Sequence, residues 1–350
     1  MVNLFSTAAI ALFSICLTAN AGRAVAVSPT PFVGQLVDPV LLRGVEDVYL
    51  AGDYVYLPCR EGRRLTICSI KNPTKPHVVS SFTHADLNEV AGVAVNGTTL
   101  FLTSMGNGRL VVLDAGDKSA VRLLGSVTVG APGSKGVLYK VAYRNGYCYV
   151  AHQSEKKLYV VDVRNPSQPV VVSSVAVTAE DDGPFSVLLH GNYALSGTIF
   201  GRRNRLAVVD IRNPSAPQLT NQLIEPPVAQ VSGVVVDKLY FAVYWDQDAF
   251  FVLNIADPVN PKLVATLVDE RLGKPNRCVV SGNRAYLPMM QGNGVAVVDI
   301  AEPSIPKFLT AYRDPIMKKA YGAAVRGNLL FVGSREGNSL VVLNRRKLEP

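Results

Sequence analysis

The stretch Leu158-Tyr159-Val160-Val161-Asp162-Val163-Arg164-Asn165-Pro166-Ser167-Gln168-Pro169 is written again as Leu206-Ala207-Val208-Val209-Asp210-Ile211-Arg212-Asn213-Pro214-Ser215-Ala216-Pro217. A third version runs from Val295 through Asp299 to Pro306. Each is a β-branched run ending in a carboxylate and followed by a proline pair, which reads as a strand and then a fixed crossing to the next strand. Outward from these copies, two markers hold register along the chain. A tight turn stands at Gly52, Gly97, Gly146, Gly191, Asp237, Gly282 and Gly327. A strand end stands at Ser69, Asp114, Asp162, Asp210, Asn254, Asp299 and Asn344. The period is roughly 45 residues, the length of a propeller blade.

Within the third unit, Val137 to Tyr143 reads as the inner strand, Asn145-Gly146 as the turn, and Tyr147 to Ala151 as the second strand. Leu158 to Val163 and Pro169 to Val175 complete the unit. The third strand is apolar on both faces, as a blade held between two neighbours requires. The seventh unit stops at Asn344-Arg345, whereas Pro31 to Leu36 resembles the fourth-strand segments Pro217 to Leu223 and Pro261 to Leu267. The sequence thus predicts an all-β, seven-bladed β-propeller of four-stranded blades, its ring closed by an N-terminal strand that completes the last blade. A closed ring is one architecture however long it grows, so residues 22–350 read as a single domain.

The units "LYVVDVRNPSQPVVV", "LAVVDIRNPSAPQL" and "VAVVDIAEPSIPKFL" resemble the LVIVD-repeat family of β-propellers. That resemblance implies a secreted or surface-associated propeller and leaves the activity open. Unit two departs from the pattern, reading "LVVLDAGDKSAVRLL" without the proline pair.

The opening residues point to the same compartment. Met1 to Thr18 is an apolar run followed by Ala19-Asn20-Ala21, a secretory signal with an A-x-A cleavage site after Ala21. The run carries no Lys or Arg, and an uncleaved anchor is the alternative reading. After cleavage no long apolar segment remains, so an extracytoplasmic location (periplasmic, secreted or cell surface) is expected, and not an integral membrane protein. The net charge of +8 favours an acidic protein or an anionic envelope component as partner. Nucleic acid is not expected, because no aromatics interleave with a basic track.

Asp, Asn and Ser interchange in the strand-end column, which fits a side-chain oxygen accepting backbone N–H in a turn rather than catalysis. Cys59, Cys68, Cys148 and Cys278 read as buried unpaired thiols. His84, Asp86, Glu89 and His152 lack metal-ligand spacing, and Glu180-Asp181-Asp182-Gly183, a weak calcium candidate, reads rather as a solvated loop, so no metal is expected. No nucleophile elbow, H-E-x-x-H helix or phosphate-cradling loop occurs, so enzyme chemistry and a cofactor have little support.

Two sets of residues remain for function. Phe200, Trp245, Met289 and Met290, bordered by Arg202 and Arg203, lie in second-to-third loops of neighbouring units and read as an apolar protein-binding stripe. Glu46, Asp47, Glu89, Lys140, Arg277 and Tyr321 lie where the inner strands begin and read as a polar ring at the axis. The expectation is a binding or scaffolding module acting through its loop-rich face. The alternative is a hydrolase, a lyase or a small-ligand binder with an axial site.

Overall fold

A computed structural model describes residues 30–131, 136–201, 205–224 and 232–349, and of Ser232 and Trp245 the backbone only. The chain divides into Met1–Thr30 and Pro31–Pro350, and the repeats all fall in the second of these units. The expected signal and its cleavage site lie outside the described residues.

Each period of the sequence becomes an antiparallel sheet. The third unit shows the local causes: Leu138–Arg144, Tyr147–His152, Lys157–Asp162 and Val170–Ala176 pair in chain order. Asn145 and Gly146, with φ of 49° and 84°, occupy the left-handed region that a two-residue hairpin needs. The corresponding first turn residues of the other units, among them Gly52, Gly191 and Asp237, also have positive φ. Third strands are buried along their length, as in Lys157–Asp162, where only the two end residues are partly exposed, because a neighbouring sheet covers each face.

All seven strand-end residues accept from the backbone N–H two residues on, from Gly116 N to Asp114 at 2.9 Å through Ala256 N to Asn254 at 2.8 Å to Arg346 N to Asn344 at 3.1 Å. The column is therefore a series of turns. A second turn follows in the same register, in which Asn165 and Asn213 accept from Ser167 and Ser215. The pairing of third and fourth strands slips by one residue at the same place in six units, for example between Val160 and Val161.

Phe32–Val37 pairs antiparallel with Ser339–Asn344, giving the order first, third, second and inner strand in that sheet. Its register slips between Phe32 and Gly34, against Leu343 and Val342, so the closing strand repeats the bulge of the other fourth strands. Seven apolar clusters among the described residues each draw on two consecutive blades. One of them joins Phe331, Leu340 and Val342 of blade seven to Val55, Leu57 and Cys68 of blade one. The ring is closed by packing as well as by hydrogen bonds.

Blade four departs from the pattern. Its inner strand is broken into Gly183–Pro184 and Leu188–His190, both paired with Tyr193–Ile199. Asp182, just before the break, is fully buried, where it accepts from Arg205 Nε at 2.9 Å and Thr178 at 2.7 Å. The segment Glu180-Asp181-Asp182-Gly183 is thus anchored inward at Asp182 and Gly183, a correction to the solvated loop expected of it. Cys59, Cys68, Cys148 and Cys278 are buried free thiols, and Cys59 and Cys68 face Arg64 and Val55 across the hairpin rather than each other.

Candidate functional site at the propeller axis

Five positions before the first turn residue of each blade, the seven inner segments present Asp47, Gly92, Lys140, Ser186, Ser232, Arg277 and Gly322. Three of these are ionisable, and they meet. The Lys140 ammonium pairs with the Asp47 carboxylate, and Arg277 Nε donates to the same Asp47 oxygen at 3.2 Å. The Tyr49 hydroxyl donates to that oxygen at 3.2 Å, and Val48 N donates to the other carboxylate oxygen at 2.9 Å. Arg277 Nη1 donates to the Asn276 carbonyl at 3.0 Å, while the guanidinium lies over the rings of Phe185 and Tyr321 at 5.5 and 5.7 Å. Arg277 Nη2 is buried with no hydrogen-bond partner.

Two glycines make room for this cluster. A Cβ on Gly322 would stand 2.5 Å from Asp47 Cα, and one on Gly92 would stand 2.6 Å from the Tyr139 carbonyl oxygen and 3.1 Å from Lys140 Cα. Blades two and seven thus give up side chains so that blades three and one can bring theirs inward.

Beyond the cluster lies Glu46, 1 % exposed, with Oε2 at 3.7 Å from Arg335 Nη1. Arg335 also lies over the Tyr321 ring at 5.4 Å and pairs with Glu61 at 2.5 Å, while Arg60 pairs with Glu89 at 2.9 Å. Burial outweighs these cations and holds the Glu46 carboxyl above its ordinary value of 4.5. Burial also works to raise Asp47, but Lys140 and Arg277 overcome it and hold that carboxyl below 3.8. Burial, then Arg277, bring the Lys140 ammonium down to about 8 against the pull of Asp47. Next to the cluster is a cavity of about 300 Å³, lined by Asp47, Lys140 and Arg277 and by apolar walls that include Val48, Val93, Val141 and Val187. A polar end on an apolar chamber is an arrangement that holds a small amphipathic ion by its charged group.

Of the axial residues named from the sequence, Glu46, Asp47, Lys140, Arg277 and Tyr321 are buried and come together. Glu89 does not join them; its side chain is 41 % exposed and bound to Arg60, outside the buried cluster. Tyr49, Asn276 and Arg335 belong to the site, although the sequence reading does not single them out. Arg335 carries a signal, since it follows the second strand of unit seven as Arg60 follows that of unit one.

The loop-face stripe fares differently. Met289 is fully buried as the last residue of the strand Arg284–Met289, in the apolar cluster between blades five and six, and so is not part of an exposed stripe. Met290 is half-buried beside Gln291. Phe200 is 62 % exposed with a φ of 68°. Arg202 and Arg203 lie outside the described residues, and Trp245 begins a short 3-10 helix, Trp245–Gln247.

The LVIVD repeat model matches residues 43–84, 136–177, 185–223 and 273–314, which are blades one, three, four and six. The chain is an LVIVD-repeat β-propeller. Blade two of this LVIVD propeller, which lacks the proline pair, has no such match, and neither do blades five and seven. No curated protein matches the LVIVD chain in sequence. Among solved structures it is similar in fold to hydrazine synthase of Kuenenia stuttgartiensis, with 12 % identity, a TM-score of 0.69 and coverage of 88 % of this chain and 97 % of that one. It is also similar to the computationally designed Ika8 protein, with 10 % identity, a TM-score of 0.60 and coverage of 90 % and 99 %. Raptor of Chaetomium thermophilum aligns over 90 % of this chain but 29 % of its own, with 12 % identity and a TM-score of 0.65. Identities this low carry the fold alone.

Of the histidines and carboxylates considered as metal ligands, His84 and Asp86 stay together at 3.7 Å, whereas Glu89 and His152 are engaged elsewhere. Asp86 is taken by Arg109 at 3.1 Å, Glu89 by Arg60, and buried His152 lies 3.5 Å from Glu155. Among the described residues no cluster suits a metal ion, and no helix is long and apolar enough to cross a membrane.

Proposed function

We propose that this LVIVD propeller is an extracytoplasmic binding module whose axial site takes a small organic anion. The observation that carries this reading is that Lys140 and Arg277 line a cavity of about 300 Å³ with apolar walls, while Arg277 Nη2 is buried without a hydrogen-bond partner. A buried guanidinium nitrogen without an acceptor is costly, and an incoming carboxylate would supply one. The apolar Met1–Thr18 run supports export, and the charge of +8 draws anions toward the molecule. The test is calorimetric titration with a series of short-chain carboxylates at low salt. Saturable binding that Arg277→Gln removes supports the reading, and its absence across the series overturns it. Export is tested by sequencing the N-terminus of chain recovered outside the cytoplasm, with Gly22 expected first.

A second reading places protein docking on the loop-rich face, supported by the exposed aromatic ring of Phe200. Pull-down from envelope extracts with wild type and with Phe200→Ser and Trp245→Ala variants, run beside Arg277→Gln, separates the two.

A further inference from the structure

We infer that Lys140 is a carbonyl-reactive amine and that the axial cavity accepts a small 2-oxo acid, whose keto carbon meets Lys140 Nζ while its carboxylate meets Arg277. The inference rests on the axial-binding reading above and names its ligand. Geometry is the first support. Lys140 and Arg277 both bind the same oxygen of Asp47, so the two cations lie within a few ångströms of each other. In a 2-oxo acid the carboxylate is bonded directly to the carbonyl carbon, so one small molecule reaches both groups at once. The walls formed by Val48, Val93, Val141 and Val187 leave room for a short aliphatic chain on the other side of the ketone.

Chemistry is the second support. A lysine becomes nucleophilic when it is desolvated or placed next to another cation, and Lys140 meets both conditions. Its conjugate acid is brought down to about 8, so a useful fraction carries a free lone pair near neutral pH. The proton carriers are in place. Asp47 accepts from Lys140, and the Tyr49 hydroxyl, which burial keeps protonated, lies 3.4 Å from Nζ.

The step balances within these groups. The Nζ lone pair of the neutral amine forms a bond to the keto carbon, and the carbonyl π pair moves to oxygen, which takes a proton from Tyr49. Asp47 holds the proton that the Lys140 ammonium gave up to become that neutral amine, and the phenolate recovers its own proton from the newly bonded nitrogen. The carbinolamine hydroxyl then leaves as water with the proton held by Asp47, and the nitrogen lone pair closes the C=N bond. The net change from the Lys140 ammonium and the ketone is a protonated imine and one water, with Asp47 and Tyr49 restored. No oxidant or reductant is consumed.

The experiment uses the full chain with 2-oxobutyrate and cyanoborohydride, which reduces an imine to a stable secondary amine that peptide mapping locates. The expected result is an adduct on Lys140, absent with 2-hydroxybutyrate and absent in Lys140→Arg. Arg277→Gln should lower labelling by 2-oxobutyrate roughly tenfold, and by more than it lowers labelling by neutral butanone, which loses the activating cation but has no carboxylate to lose. Labelling of wild type that falls on exposed lysines and spares Lys140 overturns the inference, whatever the variants do. Calorimetric binding of both 2-oxobutyrate and 2-hydroxybutyrate without an adduct also overturns it, yet leaves anion binding standing. Failure of both acids to bind overturns the inference together with the reading beneath it.

Discussion

Lys140 and Asp47 stand 93 residues apart in the chain and form a buried ion pair across the propeller axis. Arg277, from the sixth blade, joins the same carboxylate. Blades one, three and six are thereby tied through the centre, not only around the rim. Desolvation makes such a pair expensive to form, but removing one partner strands the others.

Asp47→Asn leaves Lys140 and Arg277 buried without a counter-ion. Urea denaturation of this variant should show a loss of about 3–5 kcal/mol. Adding Lys140→Met to it should recover part of that loss, because one stranded charge is gone. Equal stabilities of wild type and Asp47→Asn would mean that the cluster is solvated.

Glu46 sets a pH dependence of known sign. Its folded value lies above 4.5, so its contribution to stability is complete below 4.5 and is lost as pH rises through the folded value. Asp47 works the other way: its contribution is present above 3.8 and lost as pH falls through its depressed folded value. Glu46→Gln should therefore gain stability over wild type as pH rises from 4.5, with the difference levelling off above the folded value. Paired denaturant curves across that range check this, and a difference independent of pH would refute it.

Glycines of two kinds occur at the inner strands and should respond in opposite ways. Gly322→Ala places a methyl 2.5 Å from Asp47 Cα and should cost about 1–3 kcal/mol, weakening axial binding with it. Gly327 has a φ of 56° but nothing within 4 Å of its Cβ position, so Gly327→Asn should cost less than about 1 kcal/mol. Thermal melts with a carboxylate titration separate the two.

The strand-end column tolerates any short side chain with an oxygen. Asn254 accepts from Ala256 N at 2.8 Å, so Asn254→Asp should be close to neutral and Asn254→Val should lose about 1 kcal/mol. Chemical denaturation of the two variants side by side decides the matter.

Legibility in the sequence followed periodicity. The turns and strand ends recur at fixed offsets, so seven blades and the closing strand could be placed from Pro166, Pro169 and their counterparts. Register also located Asp47, Lys140 and Arg277 at the axis, though not their sharing of one carboxylate, because pairing across a ring is set by geometry that no local pattern encodes. Met289 was misplaced for a related reason. Its strand runs through position 289 before the loop begins, and a methionine pair at that boundary looks the same whether it turns inward or outward. Asp182 was missed as an anchor because blade four breaks its inner strand, so the offsets used elsewhere had nothing to count from.

The closing pair, Phe32–Val37 with Ser339–Asn344, sets the order of assembly of the ring. Of the propeller's described strands the first in the chain waits for the last, and a nascent propeller that lacks the last has two open blade edges. Completion of the ring thus acts as a check on length: a chain released before Asn344 cannot hide its edges and stays exposed to proteases and to other copies of itself.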